Sequence, residues 1–285
     1  MSLAPSPGLP AVRASLSATW HTTRRELRIA ALGRRGRLVL AAVVLCGTIA
    51  GGLRVLAQRG AGPTAVETSA RQQLANVASV FGTKAASDLS VHPPALVSLC
   101  LFFMVAVPGI LVLAGHDLGA RDVLTGVMRF VRHRASPFAV MAGKVFGLWA
   151  AISAAVLAAY VVVALLLVGS AGAALSDTFP SALRLWSACA LAALPYAAMM
   201  VALGAVSLSP SRTLLSGLVA MAVLAMVRAR YVGAAGLERW LIPSTNEAAL
   251  LAREWAVVAG AAGRLAVWTA CWIVIAGLVL RRQRI

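Results

Sequence analysis

About six apolar runs, most of them long enough to cross a bilayer, divide this chain, and they constrain its fold more than any other feature. Crossing a hydrocarbon core of about 30 Å takes roughly 20 helical residues. Runs of that length lie near 38–57, 95–114, 145–168 and 185–206, with shorter ones at 213–227 and 265–280. Lipid offers no partner for backbone N–H and C=O groups, so a spanning segment satisfies them within its own helix or in a closed barrel. A barrel would show segments of about ten residues with alternating polarity, a pattern absent from this sequence. The expected fold is therefore all-α: a polytopic membrane protein with six transmembrane helices. With 60% hydrophobic and 12% charged residues, the composition excludes an ordinary soluble domain, which carries about 25% charge.

The net charge of +17 over 285 residues could suggest nucleic acid, but its distribution points to topology instead. About 16 of the 26 basic residues fall in segments that alternate spans would leave on one side of the membrane. They are Arg13, Arg24, Arg25, Arg28, Arg34, Arg35 and Arg37 before span one, and Arg121, Arg129, Arg132, Arg134 and Lys144 after span two. Arg212 follows span four, and Arg281, Arg282 and Arg284 form the tail. Such a bias marks the cytoplasmic side, and membrane lipid accounts for the remaining positive charge. No nucleic-acid partner is expected. Cys46, Cys100, Cys189 and Cys271 each lie within an apolar run with no CxxC, as small hydrophobes do. The four histidines have no ligand spacing, so neither a metal nor a cofactor is expected in this chain.

Residues 1–16 are rich in Pro, Ala and Ser and read as a flexible N-terminus, with a single transmembrane domain over 17–285. Thr23-Arg24-Arg25-Glu26 has capping-box spacing and would open a basic amphipathic helix lying in the interface. Arg54, near the outer end of span one, is placed to snorkel. Residues 58–93 read as a polar outer loop. Pro108 and Pro195 fall inside spans two and four, where proline kinks a helix, so both are hinge candidates. Trp240 to Pro243 breaks the stretch 231–264, and Ser244-Thr245-Asn246-Glu247 offers a second capping box for a helix through Trp255. An outer re-entrant hairpin over 231–264 is the reading, since broken helices persist at membrane depth when protein covers them.

The segment most suggestive of function is 117–137. Val123, Leu124, Val127, Met128, Phe130 and Val131 share one side of a helix there, opposite Arg121, Arg129 and Arg132. Asp117 stands four residues before Arg121, a spacing that supports a helix. Pro137 ends the segment and Gly143-Lys144 opens span three.

Charged residues after span two, an amphipathic helix, a proline turn and a Gly-Lys at span three resemble the type-2 ABC permease family. These are the membrane subunits of bacterial and archaeal ABC exporters. The interfacial helix, six spans, pre-span-six hairpin and basic tail agree with that layout. Two departures are the Arg121-Asp122-Val123-Leu124-Thr125 start, where the family often has glutamates and Gly-Thr-Leu, and Arg134-Ala135-Ser136-Pro137, which reverses the usual order around the proline.

The resemblance implies a coupling helix that docks on a separate ABC ATP-binding subunit. Asp117, Arg121, Asp122, Val127, Arg129, Phe130 and Arg132 would be the coupling residues. It also implies a second permease copy, as a homodimer or with a close paralogue, in the cytoplasmic (inner) membrane with both termini cytoplasmic. No GxxxxGK[ST] loop occurs, so ATP and Mg are expected on the partner ATPase. The chain also lacks HExxH, GxSxG and paired intramembrane carboxylates, so no enzymatic activity of its own is expected. Small and apolar span residues favour a lipid-like or hydrophobic cargo. The alternative reading is a non-transporting transducer that passes ATP-driven motion to an extracytoplasmic partner protein.

Overall fold

The computed structural model describes residues 9–32, 34–60, 63–124, 136–207, 209–230 and 243–282. All the regular structure among them is helical. The order is α1 (Leu9–Leu32), α2 (Arg34–Gly60), α3 (Pro63–Phe81), α4 (Thr83–Leu89), α5 (Pro94–Leu124), α6 (Pro137–Ala171), α7 (Leu175–Ser207) and α8 (Pro210–Arg230). A 3-10 turn (Pro243–Asn246) leads into α9 (Glu247–Leu250), and α10 (Trp255–Arg282) follows.

Six of these helices, α2, α5, α6, α7, α8 and α10, are long and apolar enough to cross a membrane. The protein is a helical membrane protein. The spans begin earlier in the chain than hydropathy alone indicates, because polar and aromatic flanks continue the helix. α6 starts at Pro137, where Ser136 accepts a bond from the Ala139 N–H and proline suits the first turn. α7 is the central pillar: most of its length from Ala182 to Ala205 is buried, against α5, α6, α8 and α10. Its alanine-rich sequence lets neighbouring backbones come close, the usual device of membrane helix packing. By contrast, α8 and α10 expose most of their apolar surface.

Several local expectations change. Residues 9–16 are the opening turns of α1 rather than loose chain, since Pro10 is tolerated in a first turn and Ala-rich sequence propagates a helix. Residues 1–8 lie outside the described residues. The stretch 58–93 is mostly two helices, α3 and α4, with Val77, Ala85, Ala86 and Leu89 buried. Arg54 does not snorkel outward. Its guanidinium donates to the Ser69 carbonyl at 3.0 Å and to Gln73 Oε1 at 3.3 Å. Gln73 in turn donates to the Pro94 carbonyl and Ser98 Oγ, both at 2.9 Å. α2, α3 and α5 are thereby joined.

Of the stretch expected as an outer hairpin, 231–242 lies outside the described residues. The helix opened at 243–250 stops at Leu250, five residues short of Trp255, and residues 255–264 are the first turns of α10. Pro108 and Pro195 each sit within a continuous helix.

Candidate functional site

The N-terminal ends of α2 and α6 meet α1 in a seam that the sequence does not reveal. On α1, Thr19, Thr22, Thr23 and Glu26 recur at helical spacing, and on α6 the matching positions are Gly143, Lys144 and Gly147. A Cβ at Gly147 would stand 2.5 Å from the Glu26 Cβ, and one at Gly143 would collide with the Thr22 side chain. The two helices therefore touch at glycine contact distance. Thr22 and Thr23 turn their hydroxyls back to the Ala18 and Thr19 carbonyls, both at 2.9 Å, which leaves methyl groups in the seam.

Within that contact, Lys144 Nζ lies 3.4 Å from Glu26 Oε1. Both side chains are buried. The half-exposed Arg25 guanidinium adds a longer contact to the same oxygen at 3.8 Å. Two sequence readings are corrected here. Thr23 is mid-helix and Glu26 is not a capping residue. Lys144 lies two turns inside α6 rather than in a loop, so it contributes nothing to the exposed basic bias.

The predicted coupling segment is described only in part. α5 is 31 residues long and continues as helix through Asp117, Arg121 and Asp122 to Leu124. Asp117 is half-buried. Val127, Arg129, Phe130 and Arg132 lie outside the described residues, and so do the side chains of Arg121 and Asp122. Pro108 is buried on the face of α5 that meets α7, and Pro195 is buried within α7. Pro108 borders an internal crevice with Met104, Cys189, Tyr196 and Glu247, too narrow to admit water.

The second misread capping box lies against that crevice. Glu247 is 2% exposed and accepts a bond from Tyr196 Oη at 3.3 Å. Asn246 Oδ1 accepts from Arg264 Nε at 2.7 Å. Ser244, the expected cap, has a buried hydroxyl without a hydrogen-bond partner among the described residues. One helical turn deeper, Cys100 of α5 and Cys189 of α7 bring their sulfurs to 3.8 Å, with Tyr160 Oη 3.6 Å from Cys189. Two thiols and a phenol satisfy one another there.

No protein-family model matches this chain, and no curated protein matches it. The reading of the site therefore rests on geometry. Among the described residues no three His, Cys, Asp or Glu side chains converge as metal ligands would.

At the other end of the bundle, polar contacts link α4, the segment before α5, α7 and the segment before α10. Lys84 pairs with Glu254 at 3.3 Å. Arg184 donates to the Ala252 carbonyl and stacks over the Trp255 ring, 5.4 Å from its centroid. His92 Nδ1 lies 3.0 Å from Ser181 Oγ. Burial, followed by the charges of Arg184 and Arg253, holds the His92 imidazole below its usual pKa of 6.5. This cluster fixes one face of the molecule. The α1–α6 seam fixes the opposite one.

Proposed function

We propose that this chain is the membrane permease subunit of an ATP-driven ABC exporter, working with separate ATP-binding subunits and a second permease copy. The observation that carries the reading is that α5 runs on as helix past the end of its apolar span at Asp117, as far as Leu124. Its 31 residues span about 46 Å at 1.5 Å per residue, well beyond a hydrocarbon core of about 30 Å. Asp117, Arg121 and Asp122 therefore stand on a helical extension that leaves the bilayer between spans two and three. A rigid lever of this kind can carry motion of a docked ATPase into α5 and α6. The Glu26–Lys144 seam ties α6 to the interfacial α1, so displacement of the lever would move the seam as well.

Six crossings return the chain to its starting side, and the arginines of α1, the Arg212 turn and the tail put that side in the cytoplasm. α1 supports an interfacial position: Trp20 is 62% exposed, as aromatic side chains are at a membrane boundary. The extension after α5 lies on the same side, where an ATPase would be found. Residues 243–254, packed against α7 and α10, would belong to the outer part of the permease.

The test is purification with co-encoded proteins, followed by ATPase measurement with Arg121→Glu and Arg129→Glu. Charge reversal on a docking helix should release or silence the ATPase. An intact complex with full activity in both variants would remove the coupling assignment.

A further inference from the structure

Beyond its contact with α1, α6 continues with small residues, of which Ala154 is exposed and Ala151 and Ala155 are buried. Gly143, Lys144 and Gly147 meet α1, but Ala151, Ala154 and Ala155, one and two turns further on, line an open groove of about 930 Å³. Its other wall is the stretch of α2 from Leu38 to Thr48, and Leu27 of α1 closes its near end. Small alanines on α6 against leucines on α2 make the groove, while the next stripe of α2 (Val43, Gly47, Gly51 and Val55) is buried, with both glycines closely opposed by α5 or α6 side chains.

We propose that this groove holds one acyl chain of an anionic phospholipid from the leaflet in which α1 lies. Three features select that occupant. From Leu38 to Thr48 the groove runs about 15 Å along α2 at 1.5 Å per residue, half of a bilayer core of about 30 Å. A single leaflet is therefore its full depth. The lining is apolar, and the hydroxyl of Thr48 at the deep end is itself buried. At the shallow end the lining residues Leu27 and Leu38 are followed or preceded directly in the chain by Arg28 and Arg37, which are exposed, as is Arg24 one turn before Arg28. Cations at that end favour anionic over zwitterionic headgroups. The site does not depend on an ATPase partner, so its failure and the failure of the permease reading are separate outcomes.

The experiment uses the full-length protein in vesicles doped with phosphatidylglycerol or phosphatidylcholine bearing a photoreactive acyl chain, with adducts mapped by mass spectrometry. The expected adducts fall on residues 38–48 and 151–155, with phosphatidylglycerol preferred. Ala154→Trp fills the groove from an exposed position, and Ala42→Trp fills it from the facing wall. Either should abolish those adducts, while Leu218→Trp on the exposed face of α8 should leave them in place. Arg28→Gln and Arg37→Gln should each reduce the phosphatidylglycerol preference by about fivefold, the equivalent of roughly 1 kcal/mol per cation near an anionic surface. Monodispersity and melting temperature identify which filled variants are folded. Adducts that persist in a folded groove-filled variant would overturn the proposal. Equal labelling by both lipids, or cross-links to a second copy of the chain in place of lipid, would do the same.

Discussion

Glu26 and Lys144, 118 residues apart in sequence, form an ion pair of 3.4 Å in which neither side chain is more than 3% exposed. A pair so enclosed contributes less to net stability than to pairing specificity, because both charges lose their hydration. It selects one register of α1 on α6: a shift by one residue would bury both charges without partners. Losing one member should therefore cost far more than losing both. Lys144→Met or Glu26→Gln is expected to destabilise by about 3–5 kcal/mol, whereas Glu26→Leu combined with Lys144→Met should recover most of that loss. Thermal unfolding in nanodiscs reads the cycle. Additive single and double losses would show that the pair is not coupled.

The seam's geometry gives a second expectation. Gly147→Ala adds only a methyl group, but places it 2.5 Å from the Glu26 Cβ, and helix backbones cannot yield as a side-chain tip can. Overpacking of this kind costs about 1–3 kcal/mol. The loss should be local, so trypsin should cut at Arg24 and Arg28 faster in the variant than in the parent. Gly263→Ala on α10, where nothing lies within 4 Å of the added carbon, is the matched control and should leave cleavage unchanged. Equal cleavage of the Gly147 variant and the parent would contradict the close approach.

The six spans were readable from the sequence because lipid leaves a backbone so few options, and hydropathy reports that constraint directly. The tertiary polar contacts were not. Thr23-x-x-Glu26 and Ser244-x-x-Glu247 both have capping-box spacing, and in both the glutamate turns away to a distant helix, to Lys144 or to Tyr196. Spacing along a chain cannot distinguish a local bond from a long-range one. A stray carboxylate beside an apolar run was the available signal, since buried acids need a partner. The helical character of 58–93 was hidden by its polarity, although Val77, Leu89 and Gln73 are buried. The amphipathic helix expected over 117–137 is described only to Leu124, where its backbone continues α5, and 125–135 lies outside the described residues.

Protonation should be felt at His92. Its pKa is lowered in the folded protein by burial and then by Arg184 and Arg253, so the unfolded chain holds the extra proton over a window below 6.5. Stability is fully present above pH 6.5 and is lost as pH falls through the lower, folded value. Melting temperature should decline below that point, and His92→Gln should flatten the decline. Arg253→Gln removes one repelling charge and should make it shallower without abolishing it. The same slope in His92→Gln and in the parent would assign the pH response to another group.

The turn before α10 provides the last test. Residues 243–252 form only a 3-10 turn and one α-helical turn, too short to persist alone, so their order depends on side chains reaching other helices. Tyr196 donates to Glu247 from α7, and Arg264 donates to Asn246 from α10. Tyr196→Phe removes one tether while keeping the ring, and Asn246→Ala removes the other. Such bonds in membrane proteins average about 0.6 kcal/mol, so each single variant should remain folded. Backbone hydrogen exchange at 243–252 should rise in each variant and further in the double variant, while the α1–α6 seam exchanges as before. Because Glu247 borders the crevice beside Pro108, the double variant should also loosen α5 around that proline. Unchanged exchange at 243–252 in the double variant would mean that these two bonds do not hold the turn.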